Sequence, residues 1–154
     1  MRRLCILLAL ISCMAVAWAG KQQSALHPFV TSQTMPSCQV RQVYEDREGV
    51  IWLATFRGLV RYTEGSLRIY RSSLYTPELL PCNNVICVCE DMRQRLWIGT
   101  ENGLSLLDKR TGRIVQIPLP NKQYLRVNEL LVTRNGNIFA GMIRGLMHYD
   151  ETTN

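Results

Sequence analysis

The chain has 154 residues, 47% of them hydrophobic, with 18 Lys and Arg against 12 Asp and Glu and a formal net charge of +6. That length holds one modest domain. The basic residues do not cluster with aromatics, which argues against nucleic acid as a partner, and two distant histidines, His27 and His148, indicate no metal site.

The first element is a leader. Arg2 and Arg3 give a positive start, Leu4 to Val16 an apolar core, and Ala17-Trp18-Ala19 a small-x-small cleavage site, so residues 1–19 read as a secretory signal peptide. Leu10-Ile11-Ser12-Cys13 also resembles a lipoprotein cleavage box, which would leave Cys13 lipidated; the apolar run continuing past Cys13 argues against it. Cleavage near Ala19 removes two of the positive charges and makes the product an exported, periplasmic protein. Export permits disulfides. Cys87 and Cys89 share one face of a strand and read as buried small hydrophobes, while a bridge between Cys38 and Cys82 is conceivable.

Residues 20–39 are a polar lead-in with Pro28 and Pro36. A first unit, 40–84, predicts strands at Val40 to Tyr44, Val50 to Ala54, Leu59 to Tyr62 and Leu67 to Tyr70, then a loop interrupted by Pro77 and Pro81. A second, 85–127, repeats the order with Val85 to Cys89, Leu96 to Gly99, Leu104 to Leu107 and Arg113 to Ile117. The third, 128–154, is incomplete, with strands over Val127 to Val132, Ile138 to Gly141 and Leu146 to Tyr149.

These units repeat one phrase. Asp46, Gly49, Trp52, Thr55, Gly58 and Leu59 recur as Asp91, Gln94, Trp97, Thr100, Gly103 and Leu104, then in faded form as Thr133, Gly136, Phe139, Met142, Gly145 and Leu146. Ala54 recurs as Gly99. Trp97 stands 45 positions after Trp52, and Phe139 stands 42 after Trp97. A period of this length carrying strand-like segments is the mark of a propeller. The Asp carboxylate is suited to cap turn amides, glycine to supply a positive φ, and tryptophan to pack between neighbouring sheets. The expected fold is all-β: four-stranded antiparallel blades forming a partial propeller of about three. An open stack of this kind leaves apolar blade faces exposed, so further blades, in the same or a partner chain, are expected partners.

The stretches Glu45 to Leu59 and Glu90 to Leu104 resemble the two-component regulator propeller repeat, and the likeness extends over roughly residues 27 to 150. Departures fall at Gln94 and at Thr133, Phe139 and Met142. The resemblance implies the periplasmic sensor region of hybrid two-component sensor histidine kinases of Bacteroidetes, proteins that commonly detect glycan breakdown products. It implies a ligand-sensing segment, here without kinase or output domains, and neither cofactor nor catalysis.

Antiparallel parity places the turn between second and third strands on the same rim as the blade-to-blade loops. That rim collects Phe56, Arg57, Glu101, Asn102 and Arg144 from the turns and Tyr75 and Tyr124 from the loops, a mixture suited to an oligosaccharide or glycan fragment. Asp46, Glu48 and Asp91 on the other rim read as turn chemistry, since paired catalytic carboxylates need a set separation across a cleft. The alternatives are an exported propeller enzyme acting on polysaccharide, as lyase or glycosidase, and a truncated remnant without function.

Overall fold

The computed structural model describes residues 35–73, 79–120 and 125–150. The leader, with Cys13 and Ala19, and the loop tyrosines Tyr75 and Tyr124 lie outside them, as does His27. The described residues form three antiparallel sheets in chain order. The first contains β1 (Val40–Glu45), β2 (Ile51–Thr55), β3 (Gly58–Thr63) and β4 (Ser66–Tyr70). The second contains β5 (Val85–Glu90), β6 (Arg95–Thr100), β7 (Gly103–Asp108) and β8 (Ile114–Ile117). The third contains β9 (Val127–Val132), β10 (Ile138–Met142) and β11 (Gly145–Tyr149). Each strand pairs with its sequence neighbour, so every sheet is a meander.

The repeated phrase explains the repeated hairpin. Asp46 Oδ1 accepts the amides of Glu48 and Val50, both at 3.0 Å, and its carbonyl accepts the amide of Gly49. Asp91 Oδ1 does the same for Arg93 and Arg95 at 2.8 and 2.9 Å. At the far end of β2, Thr55 Oγ1 donates to the carbonyl of Gly58 at 2.6 Å and accepts the amide of Arg57; Thr100 repeats this with Gly103 and Asn102. Glycine at 58 is obligatory for space as well as for its φ of +126°, because a Cβ there would stand 2.6 Å from the carbonyl oxygen of Tyr70. A bulge falls at the same place in all three sheets, within the start of each first strand, at Arg41, Ile86 and Asn128. Bulges of this kind increase local twist.

The sheets stack face on face. Trp52, Ala54 and Leu59 of the first meet Val88, Leu96, Ile98 and Leu107 of the second. Trp97 and Leu104 on the other face of the second meet Leu130, Ile138 and Ala140 of the third, and Tyr149 stands edge-on to Trp97 with centroids 4.7 Å apart. Both tryptophans are fully buried. The middle sheet is covered on both sides, which is why β5 and β6 are apolar almost continuously instead of alternating. Gly99 permits the second contact: a Cβ there would lie 2.6 Å from Cys87 Sγ and 2.7 Å from Val127 Cγ1.

The outward face of the third sheet carries Leu131 and Leu146, 59% and 69% exposed, beside Phe139, whose ring lies 4.9 Å from that of His148. Phe139 holds the position of the tryptophans, so this is the face that in the first two sheets is covered by a neighbour. Cys87 and Cys89 point together into the contact between second and third sheets and are free thiols; Cys38 and Cys82 are unpaired as well.

Candidate functional site

The two rims of the stack differ in chemistry. The rim holding the β2–β3 and β6–β7 turns is tied to the start of each blade, because the amide of Phe56 donates to the carbonyl of Gln39 and that of Glu101 to the carbonyl of Asn84. A polar chain crosses the three sheets here. Arg41 Nε donates to Asn84 Oδ1 at 3.1 Å, and Asn84 Nδ2 to Glu101 Oε2 at 2.9 Å. Arg126 Nη1 then donates to Glu101 Oε1 at 3.1 Å, and its Nε to Asn128 Oδ1 at 3.0 Å. Glu101 is thus the hub, accepting on both oxygens while remaining partly open to solvent.

The turn residues expected at this rim are only partly brought together. Phe56 and Arg57 are exposed on the first blade's turn and Arg144 on the third's. Asn102, next to Glu101, makes no side-chain hydrogen bond to the polar chain and lines a pocket of about 410 Å³ with Ser72, Asn83, Pro81 and Gln116. Arg41, Asn84 and Arg126 were not expected as site residues. Asn84 and Arg126 both immediately precede the first strand of a blade, and lining the repeats up at that boundary would have singled them out.

The opposite rim is occupied by structural charge. Asp46 Oδ2 accepts the indole N–H of Trp52 at 2.8 Å, and Asp91 Oδ2 that of Trp97 at 3.0 Å. Lys109, from the β7–β8 turn, places Nζ 2.9 Å from Asp46 Oδ2, 2.7 Å from Glu90 Oε1 and 3.5 Å from Glu48 Oε2, with its side chain only 8% exposed. Burial pushes the Asp46 carboxyl up, but the Trp52 indole, the Lys109 ammonium and the Val50 amide outweigh it and hold it below the usual carboxylate range. For Asp91 burial is likewise outweighed, by the Arg95 amide, the Trp97 indole and the Arg95 guanidinium. Lys109 is held above its ordinary value because Glu90 and Asp46 overcome the effect of burial. A carboxylate kept ionised and fully bonded is a poor proton donor, so these acids fasten turns.

The thiols are equally inert. Burial pushes Cys87 and Cys89 up to about 12, leaving negligible thiolate near neutral pH. Among the described residues, no group of three or more His, Cys, Asp or Glu is placed to hold a metal ion.

Comparison with known proteins agrees with the repeat and the fold. Residues 34–57 and 79–102 match the family model described as Two component regulator propeller. Among solved structures, the extracellular domain of BT4673 from B. thetaiotaomicron is 26% identical, with a TM-score of 0.67 over 82% of this chain. The extracellular domain of the hybrid two component system BT3049 from the same organism is 21% identical, with a TM-score of 0.62 over 85% of the chain. The chain spans 17% and 20% of those two structures. Virginiamycin B lyase from Staphylococcus aureus shares the fold at 16% identity and a TM-score of 0.60, over 74% of this chain and 39% of the lyase. No curated protein sequence matches the chain.

Proposed function

We propose that this chain, whose repeats match the two component regulator propeller, is an exported segment of the sensing region of a hybrid two-component regulatory protein and binds a glycan-derived ligand without turning it over. The observation that carries this reading is the likeness to the extracellular domain of BT4673, which covers 82% of the chain at 26% identity and coincides with the repeat matches. The polar chain from Arg41 through Asn84 and Glu101 to Arg126 supports the binding role. It offers fixed guanidinium and amide groups and a carboxylate on the rim that also carries the exposed Phe56, the combination that recognises hydroxyl-rich ligands.

Thermal unfolding of the chain against a panel of neutral and acidic oligosaccharides tests it. A ligand specific for the folded form stabilises by about 2.7 kcal/mol at a hundredfold excess over Kd, and Glu101→Ala removes the effect of that ligand alone. Release of a shortened product from any member of the panel would replace the sensor with an enzyme.

A further inference from the structure

The position that follows the turn aspartate is Arg47 in the first repeat, Met92 in the second and, after Thr133, Arg134 in the third. All three side chains line one surface groove of about 430 Å³ on the rim that carries these turns. Met92 is 54% exposed, whereas Met35 and Met147 are half-buried and Met142 is buried. A thioether thus stands in solvent between two turns that each carry an arginine.

The contact on one side is direct. Arg47 Nη2 donates to Met92 Sδ at 3.2 Å. Arg47 is itself held in place, because its amide donates to Glu90 Oε2 at 2.9 Å and its Nε stands 3.9 Å from the same oxygen. On the other side the turn of the third sheet comes close, so that a Cβ added at Gly136 would lie 3.4 Å from Met92 Cγ. A thioether sulfur is a weak acceptor, and here it occupies a guanidinium donor that a stronger acceptor would bond far better. Adding one oxygen to the sulfur supplies that acceptor.

We infer that Met92 is a site of reversible oxidation by a peroxide, and that its sulfoxide oxygen is bound by the Arg47 guanidinium, tying the turn of the second sheet to that of the first. A sulfur lone pair attacks one oxygen of hydrogen peroxide. The S–O bond forms as the O–O bond breaks, sulfur gives up two electrons, and the departing oxygen takes the proton of the transferred one and leaves as water. Rotation about the Cγ–Sδ bond then brings the new oxygen to the guanidinium. Oxidation inside a core disrupts packing, but at this exposed seam it adds a charge-assisted hydrogen bond between two sheets.

The full chain, its exposed thiols alkylated beforehand because Cys38 is among them, is treated with graded hydrogen peroxide and followed by peptide mass mapping and thermal melting. Met92 is expected to gain one oxygen before Met35, Met142 or Met147, with a rise in melting temperature of about 2–4 °C that methionine sulfoxide reductase reverses. Met92→Leu is expected to abolish the rise. Arg47→Leu is expected to leave Met92 open to oxidation while turning the rise into no change or a fall. Oxidation of Met35 or Met147 ahead of Met92, a melting temperature that does not rise in the native chain, or an equal rise in Arg47→Leu overturns the inference.

Discussion

The indole N–H of Trp97 donates to Oδ2 of Asp91 at 3.0 Å, so the residue that turns the hairpin also fixes the largest side chain of the sheet-to-sheet contact. The first repeat makes the same bond between Trp52 and Asp46. The third has lost both members together, with Thr133 and Phe139 in their places, and Thr133 Oγ1 keeps only the backbone half of the job by accepting the amide of Asn137. Losing one member alone would bury an unpaired polar group. Asp91→Ala is therefore expected to cost about 2–4 kcal/mol in urea unfolding, and Trp97→Phe to cost about 1–2 kcal/mol less in the Asp91→Ala background than in the native chain.

Lys109 joins the turn of the first blade to the first strand of the second through Asp46 and Glu90. Replacing it by Met leaves two buried carboxylates facing each other without their cation. A loss of about 3–5 kcal/mol follows, read as a lower urea midpoint. Arg113→Met, at an exposed position on the same turn, should shift the midpoint by less than about 0.5 kcal/mol.

These groups give stability a defined pH dependence. The carboxyls of Asp46 and Asp91 are depressed in the fold, so their contribution is complete above the unfolded value of about 4 and is lost as pH falls through the folded values. Lys109 is raised, so its contribution is complete below the unfolded value of about 10.4 and is lost as pH climbs through the folded value. Cys87 and Cys89, pushed up to about 12, stay protonated in the fold while the unfolded thiols ionise near 8.5, so urea midpoints measured across pH should form a plateau from about 4 to about 8.5 and fall beyond it. Asp91→Asn flattens the acid fall, Cys87→Ala with Cys89→Ala flattens the onset of the alkaline fall, and Lys109→Met lessens its part above about 10.4.

Gln94 occupies the turn position that is glycine in the other two repeats, and it holds a φ of +61° against +77° for Gly49 and +83° for Gly136. A side chain in that region carries a steric cost that glycine avoids. Gln94→Gly is expected to stabilise the chain by about 0.5–1 kcal/mol, seen as a higher melting temperature, and Gly49→Gln to destabilise it.

Much of the fold was legible because the phrase encodes local geometry. The spacing of Asp, Gly, Trp and Thr marked both turns of each hairpin, and the eleven strands fall within about a residue of their expected bounds. Burial of both tryptophans between sheets followed from their place in the repeat. The clamp at Lys109 was not legible, since Lys109 and Asp46 are 63 positions apart and meet only through the stacking of two blades. The candidate rim was half legible. Parity put Glu101 and Asn102 at the end of the sheets where the polar chain runs, but of these two adjacent turn residues only Glu101 joins it. Its partners come from strand starts, where no turn signature draws attention to them.

Each sheet has two unlike sides: Trp52 and Trp97 look one way, while Leu96 and Ile98, or Ile138 and Ala140, look the other. Stacking by such units has a direction, like bricks with studs above and sockets below. Two arrays meeting by a twofold axis would set stud against stud, so assembly by this surface must be heterologous and must either come round to meet its own beginning or continue without limit. Because one interface rule serves every step, units can be added or deleted by recombination without a new contact having to be invented.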